Sequence, residues 1–306
     1  MNPALQFTDV RKRFGSKTAL DGLSFTIPRG TVAGFVGHNG AGKTTAFSVV
    51  SGFLPLDAGT FSVLDRVDPA PRDLKGRLGV LPQDAALPER HTPRELLRHL
   101  AQLAGLTAAK ARLETDRYLD VVGLADRRDD LVATLSHGMR RRVAVASALV
   151  GDPELVLLDE PLAGLDPVQA HALREVLASL RGTQTLVISS HNLTELERLC
   201  DWVVMLREGR CIRQGTVESV SGQQERVRWR LGGVAPLDAL QAALPGHRFE
   251  ADGDTLLQHA PPEADLDQAS LVVMATLAGA GVPLRGLSRG MGLERRFIDD
   301  LDQNAS

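Results

Sequence analysis

A glycine-rich segment between two apolar stretches carries the clearest chemical signal in this sequence. Residues 37–45 read Gly-His-Asn-Gly-Ala-Gly-Lys-Thr-Thr, which matches the pattern G-x-x-x-x-G-K-[ST] of a phosphate-binding loop. Glycines let the backbone bend so that successive N–H groups point at phosphate oxygens, and the positive end of a following helix adds to that attraction. The alternative is a glycine-rich turn that binds no ligand.

The residue types of this loop predict a role for each position. We expect Lys43 to reach the β and γ phosphates of a nucleotide and the Thr44 hydroxyl to hold Mg²⁺. The predicted nucleotide-binding residues are Gly37, His38, Asn39, Gly40, Ala41, Gly42, Lys43, Thr44 and Thr45.

Two acidic residues follow an apolar segment further along the chain. Residues 155–158 are apolar at every position, as in a parallel strand that is covered on both faces, and Asp159 and Glu160 come directly after them. Ligands bind at the carboxyl end of such strands. We therefore expect Asp159 on the Mg²⁺ side of a phosphate site and Glu160 as the base that activates the attacking water. The alternative is a pair of surface acids that cap the next element.

The apolar segments around these residues predict an α/β fold. Residues 31–36 and 185–188 form further buried runs typical of parallel strands, and a helix is expected to begin at Pro167. Residues 5–10 and 23–27 alternate between apolar and polar, which indicates an antiparallel β portion beside the parallel sheet. The phosphate loop, placed between a strand and a helix, then makes this core a P-loop nucleoside triphosphatase fold.

A helical insertion is predicted between about residues 85 and 150. Thr92 has the features of an N-cap, because Pro93 occupies the first helical position and Glu95 supplies the acid of a capping box. Thr107 is expected to cap a second helix. The sequence thus indicates a helical subdomain inserted into the α/β core.

The pattern changes near residue 218, where we place a domain boundary between residues 1–217 and 218–306. The C-terminal part reads strand, helix, strand, strand, helix, strand, which is the ferredoxin-like order. We expect a small α+β domain with an accessory or regulatory role, and a final helix over residues 293–301.

Composition excludes several classes of protein. The chain has 306 residues and a net charge of −3, which argues against nucleic acid as the main partner. Cys200 and Cys211 lack metal-binding or redox spacing, so we expect free thiols. No apolar run reaches about 18 residues and the N-terminus lacks the pattern of a signal peptide. We therefore expect no membrane-spanning segment in the chain itself and a cytoplasmic location.

With these motifs in place, residues from about 5 to 215 resemble the nucleotide-binding subunit of ABC (ATP-binding cassette) transporters. In that family a second segment, usually L-S-G-G-Q, begins a helix and binds the γ phosphate of the ATP held by the opposite subunit. Here residues 135–139 read Leu-Ser-His-Gly-Met. The resemblance implies that Ser136, His137 and Gly138 contact the partner's ATP, although His137 and Met139 depart from the commonest form. A serine hydroxyl and free N–H groups at a helix start remain an anion site.

The resemblance assigns roles to four further residues. Phe14 matches the aromatic residue that stacks on adenine, and Gln83 matches the glutamine that joins Mg²⁺ and the attacking water to the helical subdomain. Asp166, in Gly-Leu-Asp at 164–166, lies in the loop that crosses the dimer interface, and His191 matches the histidine that contacts the γ phosphate and the catalytic acid. The alternatives are a core phenylalanine, a solvated glutamine and a structural histidine.

The catalytic set implied by the resemblance is Glu160, His191, Lys43 and Gln83, and the Mg²⁺ ligands are Thr44, Gln83 and Asp159. The three arginines at 140–142 are interpreted as a helix face directed at solvent or a partner. They are too few to indicate a nucleic-acid patch.

The implied function is ATP hydrolysis that powers export through a separate polytopic permease, at the cytoplasmic face of the membrane. The active form would be a homodimer, or a pair with a paralogous ATPase subunit, in which two ATP molecules lie between head-to-tail subunits. Two alternatives remain at this point. One is a soluble member of the family that acts on DNA or ribosomes, and the other is a regulatory module that binds ATP without driving transport.

Overall fold

The computed structural model describes residues 3–221, 226–261, 264–290 and 293. The chain forms two compact units, Met1–Gln214 and Gly215–Ser306, and each is described by itself. The helix expected over residues 293–301 lies outside the described residues, apart from Leu293.

The first unit contains most of the elements. Its strands are β1 (Pro3–Phe14), β2 (Lys17–Pro28), β3 (Val32–Val36), β4 (Ala58–Val63), β5 (Arg66–Val67), β6 (Leu78–Leu81), β7 (Leu155–Asp159), β8 (Thr185–Ser190), β9 (Trp202–Arg207) and β10 (Arg210–Thr216). Its helices are α1 (Lys43–Val50), α2 (Pro93–Leu103), α3 (Ala108–Val121), α4 (His137–Leu149), α5 (Pro167–Ser179) and α6 (Leu193–Leu199).

A six-stranded sheet with the order β10-β9-β3-β8-β7-β6 forms the core of this unit. Strand β3 pairs in parallel with β8 and β9, and β7 pairs in parallel with β8 and β6. The ends of three strands are level, because Val36 lies opposite Ser190 and Asp159 lies opposite Ser189. The segments that follow β3, β7 and β8 therefore leave the sheet at one edge, where α/β proteins bind their ligands.

A second, four-stranded sheet has the order β2-β1-β4-β5 and antiparallel pairing. A continuous row of aromatic rings joins this sheet to the core: Phe7 and Phe25 lie 4.7 Å apart, Phe25 and Phe35 5.2 Å, and Phe35 and Phe47 5.5 Å, between ring centroids. Each such contact contributes about 0.5–1.5 kcal/mol beyond apolar burial. Since Phe35 is in β3 and Phe47 is in α1, this packing fixes both elements that flank the phosphate loop.

The caps of the helical subdomain lie where the sequence predicts them. The Thr92 side chain accepts from the Glu95 N–H at 3.2 Å, and the Glu95 carboxylate accepts from the Thr92 N–H at 3.0 Å. Thr107 caps α3 by accepting from the Lys110 N–H. Helix α4 packs against α2 and α3 and also against β6 and β7, so it connects the subdomain to the parallel sheet.

The interpretation of residues 140–142 as an outward-facing arginine cluster is wrong for two of the three arginines. Arg142 donates to the carbonyls of Val122 and Gly123 at 2.8 and 3.2 Å, where α3 ends. Arg141 donates to main-chain carbonyls at the end of β7. The physical reason is that carbonyls at helix and strand ends lack regular partners and need donors when they are shielded from water.

The second unit contains helices α7 (Val217–Ser221), α8 (Leu237–Ala243) and α9 (Leu266–Gly279) and strands β11 (Arg226–Leu231), β12 (Arg248–Asp252), β13 (Thr255–His259) and β14 (Leu284–Arg289). The strands form an antiparallel sheet with the order β12-β13-β11-β14. This is the strand order of the ferredoxin-like arrangement that the sequence pattern predicts. Its core is formed by Val227, Trp229, Leu231, Leu240, Leu256, Leu266, Val273 and Leu277.

A polar network lies within this otherwise apolar core. The Trp229 indole donates to Gln258 Oε1 at 3.0 Å, and Gln258 Nε2 lies 2.9 Å from His247 Nδ1. All three side chains are buried. Because an amide NH₂ can only donate, His247 Nδ1 must accept, and the imidazole is held in its neutral form.

Burial lowers the pKa of His247 in the folded state, and this predicts a pH dependence of stability. The unfolded chain binds more protons than the folded chain between the lowered pKa and the ordinary value of about 6.5. The protonation of His247 therefore leaves the free energy of unfolding of this unit unchanged above the ordinary pKa of about 6.5. The free energy of unfolding falls as the pH is lowered from there toward the lowered pKa of His247. The fluorescence of Trp229 during urea denaturation, in a Trp202→Phe background, measures this.

Two variants test the assignment to His247. His247→Gln should flatten the pH dependence between about pH 7 and pH 5, while His99→Gln, at an exposed position of the first unit, should leave it unchanged. Burial also lowers the pKa of His259, so a slope of the same sign should remain in His247→Gln. An undiminished slope in His247→Gln would contradict the assignment.

None of the helices in the described part of the chain combines the length and apolar character that crossing a membrane requires.

Candidate functional site

The phosphate loop connects the buried strand β3 to helix α1, which begins at Lys43. Gly42, just before the helix, has φ of 107°, a conformation open to glycine but strained for other residues. A Cβ at Gly42 would also lie 2.8 Å from the Ala19 carbonyl oxygen. The loop can therefore turn tightly into α1 only with glycine at this position.

The Lys43 side chain folds back over the loop. It is 7% exposed, and its ammonium donates to the Gly37 carbonyl at 2.5 Å and to the His38 carbonyl at 3.3 Å. Burial lowers the pKa of Lys43, and the negative charges of Glu160 and Asp159 oppose that shift. A buried cation faced by two carboxylates is suited to neutralise the charge of phosphate groups.

The end of β7 brings a carboxylate to the loop. Thr44 Oγ1 donates to Asp159 Oδ2 at 2.8 Å, and Ser189 Oγ donates to the other oxygen, Asp159 Oδ1. Asp159 is buried and its two oxygens are both held. A hydroxyl and a carboxylate side by side are the hard oxygen ligands that Mg²⁺ prefers, usually together with phosphate oxygens and water.

Glu160 lies where the chain turns away from the sheet. Its φ is 52°, an uncommon value for a residue with a side chain. Its N–H donates to Ser189 Oγ at 3.0 Å, and its carboxylate oxygens lie 3.0 and 3.1 Å from His191 Nδ1. The carboxylate is therefore pointed at the site by contacts from the end of β8.

These groups surround a cavity of about 580 Å³. Predicted residues that line it are Phe14, Asn39, Gly40, Gly42, Lys43, Thr44, Thr45, Gln83, Asp159 and Glu160. Phe14 is 48% exposed at the end of β1, so it is not a core residue. Gln83 is also exposed and faces the same space.

A second cavity of about 360 Å³ shares Asn39, Gln83 and Glu160 with the first. His191 lines this cavity, together with His137 from the start of α4. The predicted residues that line neither cavity are Gly37, His38, Ala41, Ser136, Gly138 and Asp166. The first three belong to the phosphate loop itself, where Gly37 and His38 supply carbonyls to Lys43.

The start of α4 has the geometry of a helix N-terminus with an available hydroxyl. Ser136 is exposed and accepts from the Met139 N–H at 3.2 Å. Gly138 is buried, and a Cβ there would overlap the Gln169 side chain of α5. Asp166 is exposed and caps α5 by accepting from the N–H groups of Val168 and Gln169. Ser136 and Asp166 thus lie outside the two cavities and face outward.

Sequence reasoning missed two residues that organise the site. Ser189 contacts both Asp159 and the Glu160 backbone, and the only local signal was its place two residues before His191 at a strand end. Arg141 lines the second cavity and contacts the backbone of Glu160. No local pattern distinguishes it from the arginines on either side.

The fold and the site define a nucleoside triphosphatase of the phosphate-loop class. A family model described as "ABC transporter" matches residues 20–163. The chain is 36% identical to the Nod factor export ATP-binding protein I of Ralstonia nicotianae, over 97% of this chain and 93% of that protein. The chain belongs to the family of ATP-binding subunits of ABC transporters, whose members hydrolyse ATP to drive transport.

Further comparisons agree with this assignment. The chain is 41% identical to the Nod factor export ATP-binding protein I of Burkholderia lata, over 69% of this chain and 70% of that protein. It is 36% identical to the linearmycin resistance ATP-binding protein LnrL of Bacillus subtilis, over 69% of each. A solved ATP-binding subunit of an ABC transporter superposes with a TM-score of 0.66 at 29% identity, over 72% of this chain and 92% of that structure.

Proposed function

We propose that this chain binds and hydrolyses ATP to power export through a separate polytopic membrane permease, at the cytoplasmic face of the membrane. The names of the relatives support export, because they denote an export subunit and a resistance subunit. The observation that carries the proposal is the cavity in which Lys43, Asp159 and Glu160 meet. Hydrolysis of a triphosphate needs a cation that binds the phosphate groups, a carboxylate beside the metal ion and a base.

The reaction follows from the positions of these groups. Water attacks the γ phosphorus of ATP, the bond to the β–γ bridging oxygen breaks, and ADP and phosphate result. Glu160 accepts the proton of the water, and His191, 3.0 Å from the Glu160 carboxylate, orients that base. Lys43 neutralises charge on the phosphates.

Mg²⁺ fits the donor set of this site. Thr44 Oγ1 and Asp159 Oδ2 lie 2.8 Å apart and are both hard oxygen donors. Within the described residues there is no cluster of three or more His, Cys, Asp or Glu side chains that could hold a metal. A cation that takes few protein ligands and completes its shell with phosphate and water matches this arrangement. Gln83 would be a further oxygen ligand, and the bound ion would neutralise phosphate charge.

We propose that ATP joins two copies of the chain, or this chain and a paralogous subunit, in a head-to-tail dimer. Ser136 begins an exposed helix N-terminus, which attracts anions, yet it lines neither cavity of its own chain. With two-fold symmetry, Ser136, His137 and Gly138 of each copy would contact the γ phosphate in the other. Asp166, exposed at the start of α5, would lie in the interface.

Phe14 should contribute to nucleotide affinity by stacking on the adenine base. Alanine substitutions at stacking residues cost about 1–3 kcal/mol, so Phe14→Ala should weaken ATP binding by about 5- to 150-fold. Phe14→Tyr should keep wild-type affinity. Calorimetry with ATP measures the change, and inorganic triphosphate, which has no base, should bind all three proteins equally. An unchanged ATP affinity in Phe14→Ala would contradict the stacking role.

The proposed function can be tested by capture of the tagged full-length chain from detergent-solubilised membranes. We expect a polytopic membrane protein to co-purify and to transport only when ATP is hydrolysed. Co-purification with ribosomes or DNA, without a membrane protein, would contradict the proposal.

We place the accessory or regulatory part of the chain in residues 218–306, so a truncation after residue 217 should retain the ATP site.

A further inference from the structure

We propose that Arg141 is a positioning residue for ATP hydrolysis, which holds the turn that carries Glu160 and the loop that carries Gln83 in one arrangement. The inference rests on the proposed role of Glu160 as the base. Arg141 lies on α4, five residues after Ser136, and the side chain points back to the carboxyl end of β7.

The contacts of Arg141 are with main-chain carbonyls. Its Nη2 donates to the Asp159 carbonyl at 2.7 Å and to the Glu160 carbonyl at 2.6 Å. Its Nε donates to the Pro161 carbonyl at 3.3 Å and its Nη1 to the Gln83 carbonyl at 3.4 Å. A planar guanidinium with five N–H groups is the side chain that can serve several acceptors at fixed angles.

The backbone at Glu160 needs such support. A residue with a side chain in the left-handed region persists only when its surroundings hold it there, and Glu160 has φ of 52°. The Glu160 N–H is held by Ser189, and the carboxylate is held by His191. Arg141 supplies the third restraint, on the carbonyl, together with the Ala163 N–H at 3.0 Å. These restraints together fix the direction in which the carboxylate points.

The local charge favours a guanidinium at this position. Burial lowers the pKa of Arg141, and the negative charges of Asp159, Glu160 and Asp84 oppose that shift. The Arg141 guanidinium thus lies close to acidic residues, but none of its described contacts is with the Glu160 carboxylate. Arg141 therefore restrains the backbone of Glu160, while the carboxylate keeps its contact with His191.

Arg142 provides a matched control on the same helix. It also donates to two main-chain carbonyls, those of Val122 and Gly123, but these lie at the end of α3, away from the nucleotide cavity. Arg141→Met and Arg142→Met therefore both remove hydrogen bonds from a guanidinium to main-chain carbonyls, near the nucleotide cavity in the first case and at the end of α3 in the second.

The test measures the Kd for ATP in the presence of a chelator, the melting temperature and the kcat for hydrolysis by the full-length chain. Arg141→Met should keep the ATP affinity and lose about 10- to 100-fold in kcat, the scale of a misplaced catalytic group. Arg142→Met should lower the melting temperature and keep kcat. Should Arg141→Met fail to fold, Arg141→Lys replaces it, because lysine keeps the positive charge and loses the planar arrangement of N–H groups. Arg141→Lys should likewise keep the ATP affinity and lose kcat.

Three results would overturn the inference. One is wild-type kcat in a folded Arg141 variant, and another is an equal loss of kcat in Arg142→Met. The third is a parallel loss of ATP affinity and kcat in the Arg141 variants, which a general structural role would produce. If the wild-type chain itself does not hydrolyse ATP, the proposed function fails instead, so the two failures can be told apart.

Discussion

Glu160→Gln is expected to bind ATP as tightly as the wild type and to lose about 10²- to 10⁴-fold in its rate of hydrolysis, the contribution of a positioned general base. The amide can still contact His191, whose Nδ1 lies 3.0 Å from the carboxylate, so the turn should keep its shape. The amide cannot accept the proton of the attacking water. Phosphate release under saturating ATP, with ATP affinity measured in parallel, gives the result.

Asp84→Asn is the matched control for this prediction. Asp84 lines the second cavity together with Glu160, so the substitution removes one negative charge from the same region. Its rate should stay near that of the wild type. Rapid steady hydrolysis by Glu160→Gln, or an equal loss in Asp84→Asn, would show that Glu160 is not the base.

Lys43→Ala is expected to lose nucleotide binding itself. A hydrogen bond to a charged group contributes about 1.5–3 kcal/mol, and Lys43 is placed to make more than one such bond with phosphate oxygens. We expect a loss in ATP affinity of about 100-fold or more. The substitution also removes the two bonds from the ammonium to the Gly37 and His38 carbonyls, so the loop becomes less restrained.

Lys17→Ala separates the specific role of Lys43 from the general effect of positive charge. Lys17 lines the same cavity but is exposed. Its removal should change ATP affinity by a few-fold at most, because exposed charges are screened by solvent. Calorimetric titration compares the three proteins, and a similar loss in both variants would contradict the proposed role of Lys43.

Much of the fold could be predicted from the sequence because its signals are local. The capping residues Thr92 and Thr107 each cap the helix expected of them, since the side-chain acceptor and the N–H group it satisfies lie within three residues. The buried strand 155–158 was likewise recognisable from its uninterrupted apolar residues. Such patterns need no information about the rest of the chain.

The extents of other elements depend on tertiary pairing. The alternating segment 5–10 is only the centre of β1, which continues to Phe14 because β2 pairs with it along that length. Strand β6 was not predicted from the sequence, although it pairs with β7. Strand ends are set by neighbours that a local pattern does not contain.

The same distinction separates the parts of the candidate site. The phosphate loop and the acid pair at the end of β7 have motifs, so their meeting at one sheet edge could be predicted from the parallel order of the strands. Ser189 and Arg141 act through atoms that are 30 and 19 residues away in sequence, at Asp159 and Glu160 respectively. Contacts of that kind follow from packing, and only the folded chain reveals them.

We propose that two copies each supply half of the ATP site, with Ser136 of one facing the phosphate loop of the other. Sedimentation of Glu160→Gln with and without ATP and Mg²⁺ tests it most directly, because this variant should hold ATP without consuming it. We predict a monomer without ATP, a dimer with ATP, and a monomer that still binds ATP when Ser136→Glu is added. Glu160→Gln that remains monomeric at saturating ATP, or a dimer that forms despite Ser136→Glu, would contradict the claim.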